Sequence, residues 1–304
     1  MTTNVLESLP KTIDLASRGL KEEAIQALQL RDEERITAVW NLKSTWIPYP
    51  RASEILRKAT ELLNRPAAYR MPCVLAFGAP GVGKTALQQE YLRRHPFREN
   101  LSGDAAIAHV VGIEVKGPDE GAFYNAILSV VGAPHGESGK PAEKLHQVLE
   151  ILRRIGTRQL LIDELNTAIA GPYLRQKNFA HALKHLANQL KLSVFATGTQ
   201  DAKLALAVDD QFRSRFEFCE LRRWTFGDPF RSLLESFERR LPLRERSNLQ
   251  APQLAQTLFD LSEGYFSELS ELLMRAAVSA IKSHNEKIDE ATIHDLKWTT
   301  RSQR

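Results

Sequence analysis

The stretch Cys73-Val74-Leu75-Ala76-Phe77-Gly78-Ala79-Pro80-Gly81-Val82-Gly83-Lys84-Thr85 decides the fold. It opens with five apolar residues in a row, the pattern of a buried strand. It continues as G-x-x-x-x-G-K-[ST], with Gly78, Gly83, Lys84 and Thr85 at the fixed positions and Ala79, Pro80, Gly81 and Val82 between them. Each residue type follows from the chemistry of a phosphate. Glycines let the backbone curl until consecutive N–H groups face an anion. A helix starting at Thr85 adds the positive end of its dipole. The Lys84 ammonium reaches β- and γ-phosphates, and the Thr85 hydroxyl is a hard oxygen ligand for Mg²⁺. Strand, loop and helix in succession predict a site for ATP and Mg²⁺.

Downstream, short apolar runs alternate with helical segments. Strands are expected over 106–115, 159–162, 193–197 and 216–221, and helices over 85–94, 121–131, 142–155 and 179–190. Such β–α alternation predicts an α/β fold, a parallel P-loop sheet covered on both faces. The run Gln159-Leu160-Leu161-Ile162 ends in Asp163-Glu164. After a phosphate loop, this pattern assigns Asp163 to the Mg²⁺ shell and Glu164 to orienting and polarising the attacking water, which points to hydrolysis.

Upstream, residues 1–45 are expected as a helical arm, with Leu15, Ala16, Leu20, Ala24, Ala27, Leu28 and Leu30 at helical spacing and a second run from 33 to 42. Trp46-Ile47-Pro48-Tyr49-Pro50 is expected to break the helix, which resumes at Ser53. Beyond Asp228 only helical periodicity remains. The expected organisation is an arm (1–45), a nucleotide-binding core (46–226), a helical lid (227–298) and a tail (299–304).

The 304 residues are 43% hydrophobic and 26% charged, enough to bury a core. No uninterrupted apolar stretch suits a membrane span, and the first residues lack a signal core. Cys73 and Cys219 are the two cysteines, too far apart for a local metal knuckle or a disulfide framework. The expected setting is the cytoplasm. The net charge of +4 is compatible with an acidic partner without demanding one.

With these motifs in order, the chain resembles a AAA+ ATPase, and more narrowly the TniB family of transposition regulators related to TnsC. The narrower likeness rests on Trp46-Ile47-Pro48-Tyr49-Pro50, Arg70-Met71-Pro72, Leu241-Pro242-Leu243-Arg244 and Ser262-Glu263-Gly264, and spans about 43–296. The resemblance implies an ATP-dependent regulator that binds double-stranded DNA without sequence preference. It would assemble with copies of itself as a ring or helical filament and recruit or activate a DDE transposase, with a TniQ-like adaptor as a further partner. Hydrolysis would dismantle the assembly. An ATP-gated switch with little turnover and a helicase-loader-type ATPase are the alternatives.

The resemblance also distributes roles. In Val194-Phe195-Ala196-Thr197-Gly198-Thr199, either Thr197 or Thr199 would sense the γ-phosphate or the lytic water. In Gln211-Phe212-Arg213-Ser214-Arg215-Phe216, Arg215 first and Arg213 second would be the arginine finger, acting across a subunit boundary. Pro48 and Tyr49 either lie over the adenine or form a plain turn. The lid departs from the AAA+ pattern. Gly264-Tyr265-Phe266-Ser267 has serine where many lids place an arginine, which leaves Arg275 as a stand-in. Lys116, Ser138 and Lys140, after the second strand and the next helix, are the expected phosphate contacts to duplex DNA. The arm and the tail are candidate contacts for transposase or adaptor.

Overall fold

The computed structural model describes residues 19–304 except 102, 104, 137 and 169–172. The sequence expectations for Leu15 and Ala16 fall outside the described residues. In chain order the elements begin with helices α1 (Glu22–Ala27), α2 (Asp32–Asn41) and α3 (Pro50–Asn64). Then come β1 (Cys73–Phe77), α4 (Lys84–Arg94), β2 (Val110–Glu114), α5 (Glu120–Val130), α6 (Pro141–Arg154) and β3 (Gln159–Asp163). They continue with α7 (Leu165–Ala168), α8 (Tyr173–Leu190), β4 (Ser193–Gly198), α9 (Gln200–Val208), α10 (Asp210–Arg213) and β5 (Phe216–Glu220). Helices α11 (Asp228–Glu238), α12 (Pro252–Ser262), α13 (Phe266–Lys282) and α14 (Glu290–Asp295) complete the chain, apart from two short 3₁₀ turns.

The chain divides into two compact units. One, the core unit, is Pro48–Arg222. Its five strands form a wholly parallel sheet in the order β2-β3-β4-β1-β5. The central strands β1 and β4 are buried along their whole length. The edge strand β5 is less covered, with only Phe216 and Cys219 of its five residues buried. Leu75, Val111, Leu160, Ile162 and Ala196 join Phe123, Ile127, Leu152 and Phe179 in one apolar core. Each such fully buried large side chain contributes about 1.5–3 kcal/mol relative to exposure.

Two sequence expectations change here. The second strand is shorter than 106–115 because Ile107 instead forms an antiparallel bridge with Arg98. Pro50 opens α3 rather than ending the break. Its missing N–H costs nothing at a first helical position, where no intrahelical partner exists.

The other unit is helical and joins residues 19–47 to Arg223–Arg304. Val39 of α2 and Ile47 are buried with Phe230, Leu234, Leu254, Leu272 and Ile281. Arg35, fully buried, fastens α2 to this set. Its guanidinium donates to Glu286 (Nη1–Oε1 2.9 Å, Nη2–Oε2 2.5 Å), to the Pro242 carbonyl (2.9 Å) and to Asp32 (2.8 Å). Gly264 has φ +71°, and a Cβ there would stand 2.3 Å from the Trp224 carbonyl oxygen. The tail is held as well. Trp298 Nε1 donates to the Leu261 carbonyl, Ser302 to Glu263, and Arg304 to Glu268. Among the described residues no helix is long and apolar enough to cross a membrane.

Candidate functional site

Three strands of the core unit end side by side. Phe77 pairs with Gly198 and Ile162 with Ala196, so the segments after β1, β3 and β4 meet at one end of the sheet. That is where parallel sheets offer a binding crevice, beside the point at which strand order reverses. The loop after β1 turns through Gly81 (φ +88°) and Gly83 (φ +100°), conformations costly for any residue with a Cβ. Gly78 has a separate reason, since a Cβ there would stand 2.2 Å from the Leu221 carbonyl oxygen. Val82 anchors the loop in the core, while Ala79 and Pro80 are exposed.

Lys84 is 6% exposed and its Nζ donates to the carbonyls of Gly78 and Ala79, each at 3.0 Å. Burial pulls its pKa down, and the charges of Glu164 and Asp163 act against that pull. Lysine and carboxylates therefore share one electrostatic site. Thr85 follows in the exposed first turn of α4.

The second strand end is a hydrogen-bonded frame. Asp163 Oδ1 accepts from the Thr197 hydroxyl at 2.5 Å and from the Glu164 N–H at 2.8 Å. Thr197, fully buried, accepts in turn from Gln88 Nε2 at 2.7 Å, and Gln88 also donates to the Ile162 carbonyl. The Thr197 proton and an acceptor position are both committed. Two residues on, the Thr199 hydroxyl is buried and has no hydrogen-bond partner among the described residues. Glu164 takes a left-handed conformation (φ +50°), and its carbonyl accepts from the N–H and hydroxyl of Thr167. Asn166 donates from Nδ2 to Glu164 Oε2 at 2.9 Å and accepts the Thr199 N–H at Oδ1, 3.2 Å.

This donor set suits a nucleotide with magnesium. A hydroxyl (Thr85) and a carboxylate (Asp163) are hard oxygen ligands for a small divalent cation. Among the described residues no group of three or more His, Cys, Asp or Glu could hold a metal by itself, so the ion would complete its shell with phosphate oxygens and water.

The remaining expected residues fall as follows. Arg51 Nε donates to the Glu220 carbonyl at 3.0 Å, which ties the start of α3 to the end of β5; Pro48 and the half-buried Tyr49 directly precede α3. Burial pushes the Tyr49 phenol up to about 12, against the opposing charge of Arg51. Arg215 lies at the other end of the sheet. It directly precedes β5, its carbonyl accepts the Cys73 N–H, and its Nη1 donates to Asn188 at 3.0 Å. The five residues of β5 put it roughly 17 Å along the strand direction from the phosphate-loop end. Arg213 is exposed and pairs with Asp210 at 2.7 Å. Lys116 and the segment at Gly139–Pro141 line one cavity of about 600 Å³, with Ser138 and Lys140 exposed beside it. Arg275, in the helical unit, is engaged by Glu271 at 2.8 Å and lies over the Trp298 ring.

Sequence reasoning missed Gln88 and Asn166. Gln88 had a signal: it shares a helix face with Lys84, Leu87 and Tyr91, where a polar residue must find partners. Asn166 had none, because its bonds run to residues placed by the fold.

The family model for bacterial TniB proteins matches residues 36–226, well over half of the chain. The chain belongs to the TniB family. No curated protein matches it. Among solved structures, the TniB-family chain is similar to the ORC2 protein of Aeropyrum pernix, seen with ADPNP and ADP. The TM-score is 0.62 at 16% identity, over 83% of this chain and 68% of that one. It is similar to the ORC1 protein of Aeropyrum pernix in complex with DNA (TM-score 0.59, 17% identity, 85% and 68% covered). Drosophila ORC bound to DNA gives a TM-score of 0.54 at 14% identity, over 97% and 69%. At such identities the likeness shows the fold, which is that of the P-loop AAA+ proteins.

Proposed function

We propose that this TniB-family chain is a AAA+ ATPase that assembles on double-stranded DNA when ATP and Mg²⁺ are bound, and that hydrolysis dismantles the assembly. The observation that carries the reading is the meeting of Lys84, Thr85, Asp163 and Glu164 at one sheet end, with the partnerless Thr199 hydroxyl beside them. Lys84 neutralises the β- and γ-phosphates and the loop N–H groups cradle them. Thr85 and Asp163 would hold magnesium, which when bound offsets charge developing on the transferred phosphoryl group. Glu164 orients the attacking water and receives its proton. With Thr197 committed to Asp163, Thr199 is the hydroxyl free to sense the γ-phosphate. Pro48 and Tyr49 lie over the adenine.

Arg215 lies about 17 Å along β5 from its own phosphate loop, too far to touch a nucleotide there. Its role as arginine finger is toward the site of a neighbouring copy, in a ring or helical filament, with Arg213 as the second candidate. Lys116, Ser138 and Lys140 contact DNA phosphates. The DNA-bound relatives in the comparison support this reading, and membership of the TniB family supports a DDE transposase and a TniQ-like adaptor as partners.

The test is co-sedimentation of the chain with duplex DNA, with a non-hydrolysable ATP analogue, ADP or no nucleotide. Large DNA-bound species are expected only with the analogue, and not in Lys84→Ala. Lys116→Ala with Lys140→Ala should reduce the salt dependence of binding, by roughly one unit of log–log slope for each lost phosphate contact. No duplex binding in any nucleotide state would break the reading.

A further inference from the structure

The Asn166 side chain touches both the carboxylate after β3 and the backbone after β4. Its Nδ2 donates to Glu164 Oε2 at 2.9 Å, and its Oδ1 accepts the Thr199 N–H at 3.2 Å. The orientation of the amide follows from chemistry. A backbone N–H can only donate, so the oxygen must face Thr199, and the NH₂ is left for the carboxylate. Gly198 packs closely beside this bridge, its tightest approach being to α9. A Cβ on Gly198 would stand 3.5 Å from Asn166 Oδ1 and 2.7 Å from Ala202 Cβ. The main chain of Glu164 is fixed separately, by Asp163 Oδ1 and by Thr167. Asn166 therefore governs what the backbone contacts do not, the direction of the Glu164 carboxylate.

We infer that Asn166 is a positioning residue for hydrolysis, which ties the direction of the Glu164 carboxylate to the strand end that carries Thr199. The inference rests on the ATPase reading above. When Thr199 engages a γ-phosphate, the shift of its N–H acts on one end of the amide, and the other end turns the carboxylate. Among the described residues its hydrogen bonds go to Glu164 and Thr199 and to neither the phosphate loop nor Thr85 or Asp163, so its loss should leave nucleotide binding intact.

Asn166→Asp tests this without changing shape. It removes the donor to Glu164 and keeps the acceptor for Thr199, whereas Asn166→Ala removes both. For Asn166→Asp the expected result is a kcat lowered about tenfold to a hundredfold, with affinity for a fluorescent ATP analogue within about twofold of wild type and an unchanged melting curve. Asn166→Ala should lose at least as much. The decisive readout is a double-mutant cycle under single-turnover conditions. Because Asn166 acts through the carboxylate, Asn166→Asp should have almost no further effect in a Glu164→Gln chain, whereas a merely structural role would give the same loss in both backgrounds. An unchanged kcat in Asn166→Asp, or equal losses in the two backgrounds, would overturn the inference. If Glu164→Gln alone is slow and Asn166→Asp matches wild type, only the inference falls. If Glu164→Gln turns over like wild type, the role of Glu164 falls and the inference with it.

Discussion

Two buried polar networks stand out among the described residues, one in each unit, and they differ in the kind of group each leaves open. In the helical unit, Glu286 accepts two bonds from Arg35 and two from the N–H and guanidinium of Arg244. Arg35 meets Asp32 and a carbonyl besides. Every charge there has its counter-charge, and the network's consequence is to fasten α2 to residues more than 200 positions away. At the exit of β3 and β4 the frame is just as rigid around Thr197 but stops short. Among the described residues the Thr199 hydroxyl is buried without a hydrogen-bond partner, Thr85 is exposed, and Asp163 accepts both of its bonds at one oxygen. A network whose charges are all paired is a clamp, even with one N–H, Arg35 Nε, left without a hydrogen-bond partner among the described residues. One that stops short at groups of a single chemical kind, hard oxygens beside a lysine, marks where a ligand completes it.

The largest expected effect tests the clamp. Arg35→Ala leaves Glu286 buried with much of its compensation gone, a loss of about 3–5 kcal/mol. All four tryptophans, Trp40, Trp46, Trp224 and Trp298, belong to the helical unit, so tryptophan fluorescence during thermal unfolding follows that unit alone. A tryptophan-detected transition within a degree or two of wild type would show that the network is dispensable. The contrast with the nucleotide site would then dissolve.

A smaller effect separates the two threonines. Thr197→Val strips a partner from both Asp163 and Gln88 and should cost about 1–3 kcal/mol of core-unit stability. Thr199→Val removes a hydroxyl that is desolvated and unpaired, so stability should hold or rise slightly while ATP turnover falls roughly tenfold or more. Melting followed by circular dichroism, together with steady-state turnover, checks both. Equal stability losses would mean that the Thr199 hydroxyl already has a partner, and the incomplete frame would need another explanation.

The same contrast explains what the sequence could tell. The phosphate loop was legible because its constraints are local: positive φ at Gly81 and Gly83, a lysine at the helix start, an apolar strand before it. Asp163 and Glu164 became legible only in its company. The helix start at Pro50 was misplaced because proline both ends helices and begins them, and only the path of the preceding chain decides. Arg35 could have been noticed, since it shares a helix face with Val39, but nothing local names Glu286 as its partner. Asn166 was beyond reach altogether. Its two bonds join atoms that the fold brings together, one of them a backbone N–H that any residue would supply.

The smallest effect concerns acid. Burial acts to raise the Glu286 pKa, but the hydrogen bonds from Arg35 and the Arg244 N–H, with both positive charges, outweigh it and hold the carboxyl below the usual glutamate range. The folded chain thus binds this proton less tightly than the unfolded chain does. The stabilisation is complete above the ordinary glutamate range, about 4.3, and is lost as the pH falls through the lower, folded value. Asp32 faces the same guanidinium, with His284 Nδ1 3.9 Å from its carboxylate. Glu286→Gln isolates the contribution, since glutamine keeps an acceptor oxygen but has no charge to lose. The tryptophan-detected melting temperature of wild type should drop more steeply than that of Glu286→Gln between pH 5 and pH 3. Parallel curves would leave Glu286 as a hydrogen-bond acceptor whose charge is incidental to the clamp.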